Sequence, residues 1–305
     1  MFRVFVVLHK LCIFAQILCN YIIVMNMIKD FAQLSEMLKA KNRTYRIVAI
    51  EANDEHTQEA LHRAEQEGWA VVTYIHEETP EASAAKAVAE VREGKADVIM
   101  KGLVNTDVVL RAILNKQNGI LPKGGTLTHV SAMKVPTYHK ILFVSDVAVI
   151  PNPTLEQREV LIQRAADVCR SFGVEKPRVA LLHCTEKVSE KFPITLDYVE
   201  LMKRASEGAY GDIIVHGPID AKCACDKEAD EIKGIHSPLE GDADILIMPD
   251  IEAGNVFYKT LSAFTQTDMA VMLQGAQCPV VVTSRGDTIT VKYNSLAMAC
   301  LAFEK

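Results

Sequence analysis

At 305 residues the chain is long enough for two domains with separate cores, and its 49% hydrophobic and 24% charged content, without Pro/Gly/Ser-rich tracts, excludes a disordered protein. A formal net charge of -6 argues against nucleic acid as a partner, since backbone phosphates are held by a surplus of Lys and Arg on one face; small anions stay open. Eight scattered cysteines give neither a disulfide framework nor a four-ligand zinc site, and fit a reducing compartment.

Residues 2–27 are strongly apolar, with Arg3, His9 and Lys10 near the start, and superficially resemble a secretory signal. The uninterrupted run at 11–24 is about 14 residues where a membrane span needs about 20, and no small-residue cleavage site precedes Met25. The expectation is an extension, 1–27, outside the fold, with translation starting at Met25 or Met27, and a cytoplasmic protein that does not span a membrane.

From residue 46 strands alternate with helices: strand 46–50, amphipathic helix 55–67, strand 69–75, alanine-rich helix 81–93 closed by Gly94, strand 97–100, helix 106–116. Three successive strand-helix units are the signature of a parallel sheet covered on both faces. A Pro-Gly-Gly loop at 121–125 and two strands, 126–133 and 140–145, interrupt the alternation, and Pro151 and Pro153 precede a long helix at 155–172. Alternation resumes with strand 178–182 and helix 196–207, which places a boundary near residue 148. Strand 212–215, strand 245–248, a helix from about Asn255 to Ala263, a second short helix at 268–273, strand 279–283 and a last helix capped by Asp287 complete the chain.

Four strands end in glycine and polar residues: Lys101, Gly102, Asn105, Thr106 and Asp107 after the strand at 97; His216, Gly217, Pro218 and Asp220 after that at 212; Asp250, Glu252 and Asn255 after that at 245; Ser284, Arg285, Gly286 and Asp287 after that at 279. In parallel sheets ligands sit at such ends, so neighbouring strands would make one cleft. Lys101 and Gly102 before a helix capped by Asn105 or Thr106 suit an anion, although a lysine after a strand is usually only solvated. Asp250, Glu252 and Asn255 offer oxygen donors of the kind magnesium takes, but capping and hydrogen bonding suit them better, with Asn255 as the cap and Glu252 as the site residue. His129 lies in a strand pattern, where a core histidine stands against a donor to a carbonyl or phosphate.

Lys101-Gly-Leu-Val-Asn-Thr106, Leu127-Thr-His-Val-Ser131, Gly217-Pro218, Val281-Val-Thr-Ser-Arg285 and above all the run from Ala243 to Lys259 resemble the phosphate acetyltransferase and butyryltransferase family over residues 40–305, with Pro-Asp-Ile-Glu-Ala-Gly-Asn closer to the butyryl branch. Residues 1–27 have no counterpart. The resemblance implies an α/β, two-domain fold like that of isocitrate and isopropylmalate dehydrogenases, with a mostly parallel sheet in each domain. Domain I would take 28–148 and 266–305 and domain II 149–265, with the active-site cleft between them.

The implied reaction moves a short acyl group, butyryl preferred, reversibly between coenzyme A and inorganic phosphate. Acyl-CoA and phosphate are substrates, no cofactor or metal is needed, and a homo-oligomer built from dimers is implied. Phosphate is already anionic, so the enzyme mainly has to hold it near the thioester carbonyl and stabilise the oxyanion. Arg285 offers a planar fork and Ser284 a hydroxyl; the resemblance makes both catalytic, and the residues themselves add His129 as a catalytic candidate and Lys101, Asn105, Thr106, Gly217, Pro218, Asp250, Glu252 and Asn255 as substrate-binding ones. Where the acetyl branch has an aspartate proposed as base for the coenzyme thiol, this chain has Thr290 and Val291; Asp287 is the nearest carboxylate and the catalytic candidate for that base, although it also suits an N-cap. Two other readings stand beside this one: an NAD(P)-dependent dehydrogenase of a small hydroxy acid on the same fold, and a non-catalytic sensor of coenzyme A or acyl phosphate.

Overall fold

The computed structural model describes residues 27–303; the apolar segment 1–26 lies outside them. Three steps of strand and helix lead in, as the alternation requires. Helix α1 (Ala32–Ala40) precedes β1 (Tyr45–Ile50), α2 (Glu55–Gln66), β2 (Ala70–Ile75), α3 (Pro80–Arg92), β3 (Val98–Lys101) and α4 (Thr106–Ile113). Side chains of Asp54 and Thr79 accept the first free N–H groups of α2 and α3, which fixes where each helix starts. Then follow β4 (Thr128–Lys134), β5 (Leu142–Ser145), α5 (Leu155–Ser171), β6 (Arg178–Leu182), α6 (Ile194–Ser206), β7 (Ile214–Ile219), the short α7 (Ala221–Cys225) and α8 (Lys227–Ile232), β8 (Ile245–Ile247), α9 (Ile251–Phe264), β9 (Asp268–Gln274), β10 (Val280–Val281) and α10 (Ile289–Ala302).

All ten strands join one sheet, in the order β2-β1-β3-β10-β9-β4-β5-β8-β6-β7. This corrects the expectation of a sheet in each domain: β4 and β9 pair with each other from Thr128 opposite Gln274 to Lys134 opposite Asp268, and with β5 and β10 on their other edges, and so carry the hydrogen bonding across. Pairing is parallel in the outer parts and antiparallel at β10-β9, β9-β4 and β4-β5. The chain's end returns to its beginning, since β10 lies beside β3 with Val281 opposite Met100.

Three sequence expectations fail locally. Residues 268–273 form a strand, not a helix: Met269 to Leu273 are all buried between β4 and β10, and a short apolar run carries no period that tells a buried strand from a buried helix turn. The helix expected from Asn255 begins at Ile251, because Asp250 is its N-cap, accepting from the Ala253 N–H at 2.8 Å. The last helix is capped by Thr288, which accepts from the Val291 N–H, and not by Asp287.

Helix α10 is buried on nearly every side, packing on β9 and against α1 and α2. Glu67, just past α2, ties these helices together. Burial alone would raise its carboxyl, but the Ser35 hydroxyl, Tyr293 OH (2.6 Å), Arg63 Nε (2.9 Å) and Trp69 Nε1 (3.3 Å) all donate to it and push it down to about 2. A depressed carboxyl stabilises the fold above its unfolded pKa and loses that contribution as pH falls towards the folded one. The stability gap between wild type and Glu67→Gln in urea unfolding is therefore expected to narrow as pH falls from about 5 to about 3; a constant gap would contradict the network's role.

Candidate active site

Strand β3 is buried over its whole length and delivers Lys101, 3% exposed, to its C-terminal end. The Lys101 ammonium donates to the carbonyls of Gly102 (3.1 Å) and Val104 (3.3 Å). The turn after β3 lies against the turn after β1: Gly102 N–H donates to Ile50 O and Leu103 N–H to Glu51 O, both at 2.8 Å. A Cβ on Gly102 would stand 2.2 Å from Glu51 O and 2.6 Å from Ala52 Cα, so only glycine permits this approach. From the β1 turn comes Asp54, whose Oδ1 caps α2 through the Thr57 N–H at 2.9 Å.

The loop after β10 closes on the same place. Arg285 donates from Nη2 to the Asn105 side-chain oxygen, which makes no cap bond to α4 and so leaves that helix N-terminus to other acceptors. Thr106 opens α4 at the surface. Ser284 and Arg285 are exposed, and Asp287 accepts the Ser284 N–H at 2.7 Å, bending the loop back. Lys292 on the second turn of α10 is 2% exposed; its ammonium reaches Thr283 Oγ1 at 3.4 Å and Asp54 Oδ1 at 3.8 Å.

Three cations, two of them buried amines, thus converge where the carboxylates of Asp54 and Asp287 are the nearest negative charges. Burial, then repulsion from Lys292 and Arg285, lowers Lys101 to about 8. Burial opposes ionisation of Asp54, but hydrogen bonds at Thr57 and the Lys292 charge hold its carboxyl below the usual range. Among the described residues no carboxylate lies within ion-pair distance of Lys101. Buried charge is costly without compensation, and an oxyanion at this place would supply it.

Asp250, Glu252 and Asn255 gather at the other end of α9. Asp250 caps the helix, Glu252 is exposed in its first turn, and Asn255, expected as the cap, instead donates from Nδ2 to Val147 O at 3.2 Å. Gly254 packs here, where a Cβ would meet Asp146 O at 2.4 Å. A cavity of about 560 Å³ opens beside Asp250, lined among others by Asn152, Arg158, His183, Met248 and Phe257. Helix α9 links the two groups: Tyr258 packs in one apolar cluster with Val291 of α10, and its hydroxyl is pushed up by burial and by the Asp287 charge. Asp250 and Tyr258 are eight residues apart, about 12 Å along the helix axis.

The remaining candidates sit elsewhere. Gly217 and Pro218 lie inside β7, not in a loop after it, and Gly217 brings β7 onto β6, since its Cβ would meet Leu181 Cβ and O at 2.6 Å. Proline is tolerated there because β7 is an edge strand. His129 is buried in the sheet opposite Leu273; Asp146 accepts its backbone N–H at 3.1 Å, and burial, opposed by that carboxylate, lowers the ring's pKa. Lys292 and Asp54 escape a reading of the sequence because one resembles a solvated helix lysine and the other an ordinary cap. Among the described residues, Glu186, Asp220 and Cys223 form the one group of donors close enough to share an ion, and Lys233 already pairs with both carboxylates. No described helix is long and apolar enough to cross a membrane.

Known proteins share both the sequence and this fold. A phosphate butyryltransferase of Clostridium acetobutylicum is 36% identical over 298 residues, covering 90% of this chain and 98% of that protein. A phosphate acetyltransferase of Thermotoga maritima is 34% identical over 291 residues, covering 88% and 98%. The crystal structure of a branched-chain phosphotransacylase from Enterococcus faecalis V583 superposes with a TM-score of 0.76 at 26% identity, over 85% of this chain and 99% of that one. The family described as phosphate acetyl/butaryl transferase matches residues 12–300, reaching into the segment 1–27 that was expected to have no counterpart. A match that spans the whole sheet, and both strand ends that supply Lys101 and Arg285, places the chain in the phosphate acetyl/butaryl transferase family.

Proposed function

We propose that the enzyme transfers a short acyl group, butyryl in preference to acetyl, reversibly between coenzyme A and inorganic phosphate. The observation that carries this reading is the convergence of Lys101, Lys292 and Arg285 on one place with two nearby carboxylates. Phosphate held there is a nucleophile that needs little base activation, and Ser284 with the free N–H groups of α4 supplies donors for the oxyanion that forms on the thioester carbonyl. Asp250, Glu252 and Asn255, at the far end of α9, hold a more distant part of the coenzyme.

Phosphate-dependent release of free thiol from a panel of acyl-CoA thioesters tests this. Thiol release is expected to require phosphate and to be fastest with butyryl-CoA, with discrimination of about 1 to 3 kcal/mol per methylene. Equal rates across the panel would refute the butyryl preference, and release indifferent to phosphate would refute the reaction itself.

A further inference from the structure

We propose that Lys101 carries the proton of this exchange: its ammonium protonates the departing coenzyme sulfur, and the resulting amine takes the proton that the attacking phosphate brings. This rests on the acyl-transfer reading. As phosphate attacks, a C–O bond forms and the C–S bond breaks with its electron pair going to sulfur. The thiolate takes a proton from Lys101, and the phosphate hydroxyl of the new acyl phosphate returns one to the lysine, so nothing accumulates. In the reverse direction the neutral amine removes the thiol proton.

The geometry singles out this residue. Two of its three N–H bonds are seated on Gly102 O and Val104 O, which leaves the third for a reactant. The groups facing it are Lys292 from α10, Arg285 and Asp287 from the loop after β10, and Asp54 from the turn after β1. Glu51, next along β1, is turned away into Ser83 and His76. Neither nearby carboxylate suits this proton transfer, since Asp287 accepts the Ser284 N–H, and Asp54 is held ionised by Lys292 and Thr57, far below a thiol. An amine brought down to about 8 stands close to an ordinary thiol, about 8.5, the match that proton transfer needs.

The test compares wild type with Lys101→Arg, which keeps the charge but does not titrate, and with Lys101→Met, which keeps the packing of the stem. With wild type, the rate from butyryl-CoA should fall as pH rises through about 8, and the rate from butyryl phosphate and thiol should rise through the same pH. Lys101→Arg should lower kcat on butyryl-CoA by about 10² to 10⁴-fold with little change in phosphate KM, and should lose the fall above pH 8 on butyryl-CoA. On a butyryl aryl thioester, whose thiolate leaves without a proton, the rates of variant and wild type should converge. An equal loss on both thioesters, a loss confined to phosphate KM, or a retained fall above pH 8 on butyryl-CoA in either variant would overturn the assignment. A wild type without phosphate-dependent release overturns the parent reading as well, which separates the two failures.

Discussion

Arg285→Ala is expected to raise the phosphate requirement by about 10²-fold or more while leaving the fold intact. The guanidinium is exposed and is steadied by the Asn105 side-chain oxygen, so its planar fork is already aimed when phosphate arrives. Hydrogen bonds to charged groups are worth about 1.5–3 kcal/mol each, and losing two of them gives a change of this order. Stability should move by no more than about 0.5 kcal/mol, as for other exposed side chains. Arg285→Lys should fall between the two, because an ammonium supplies the charge without the fork. Saturation curves against phosphate check this, and an unchanged curve would remove Arg285 from the site.

The largest structural effect is expected from Gly102→Ala. The new methyl would meet backbone, Glu51 O at 2.2 Å and Ala52 Cα at 2.6 Å, and a turn held by Glu51 N–H to Ile75 O and by Leu103 N–H to Glu51 O cannot rotate away as a side chain can. Overpacking commonly costs about 1–3 kcal/mol, and this contact belongs at or beyond the upper end. At about 1.5–2 °C per kcal/mol for a chain of this size, the thermal midpoint should drop by roughly 5–6 °C. Activity should fall further than stability, because the displaced turns carry Lys101 and Asp54. Gly286→Ala is the matched control: nothing lies within 4 Å of a Cβ there, and its midpoint should barely move. Equal melting curves for both variants would show that the β1 and β3 turns are not held together as described.

Much of this arrangement was legible in the residues. Short apolar runs that end in Lys-Gly or Ser-Arg name their own strand ends, and β10 returning beside β3 puts Lys101 and the loop of Arg285 at adjacent strand ends. What escaped needed tertiary information. Lys292 looks like any surface lysine of an amphipathic helix, and only the burial of α10 on nearly all sides makes it a site residue. Residues 269–273 carry no period because both faces of β9 are covered, so the bridge that makes one sheet from two was invisible. Gly217 and Pro218 read as a turn by composition, yet close packing on Leu181 and an edge position accommodate them inside a strand.

The central claim is that the buried amines and Arg285 form the phosphate seat. A crystal structure of the enzyme with inorganic phosphate tests it most directly. Phosphate is expected within hydrogen-bond reach of Arg285 and of the Lys101 or Lys292 ammonium, beside Ser284 and the N-terminus of α4. Phosphate bound at another place, with this cluster left without an anion at saturating concentration, would contradict the account.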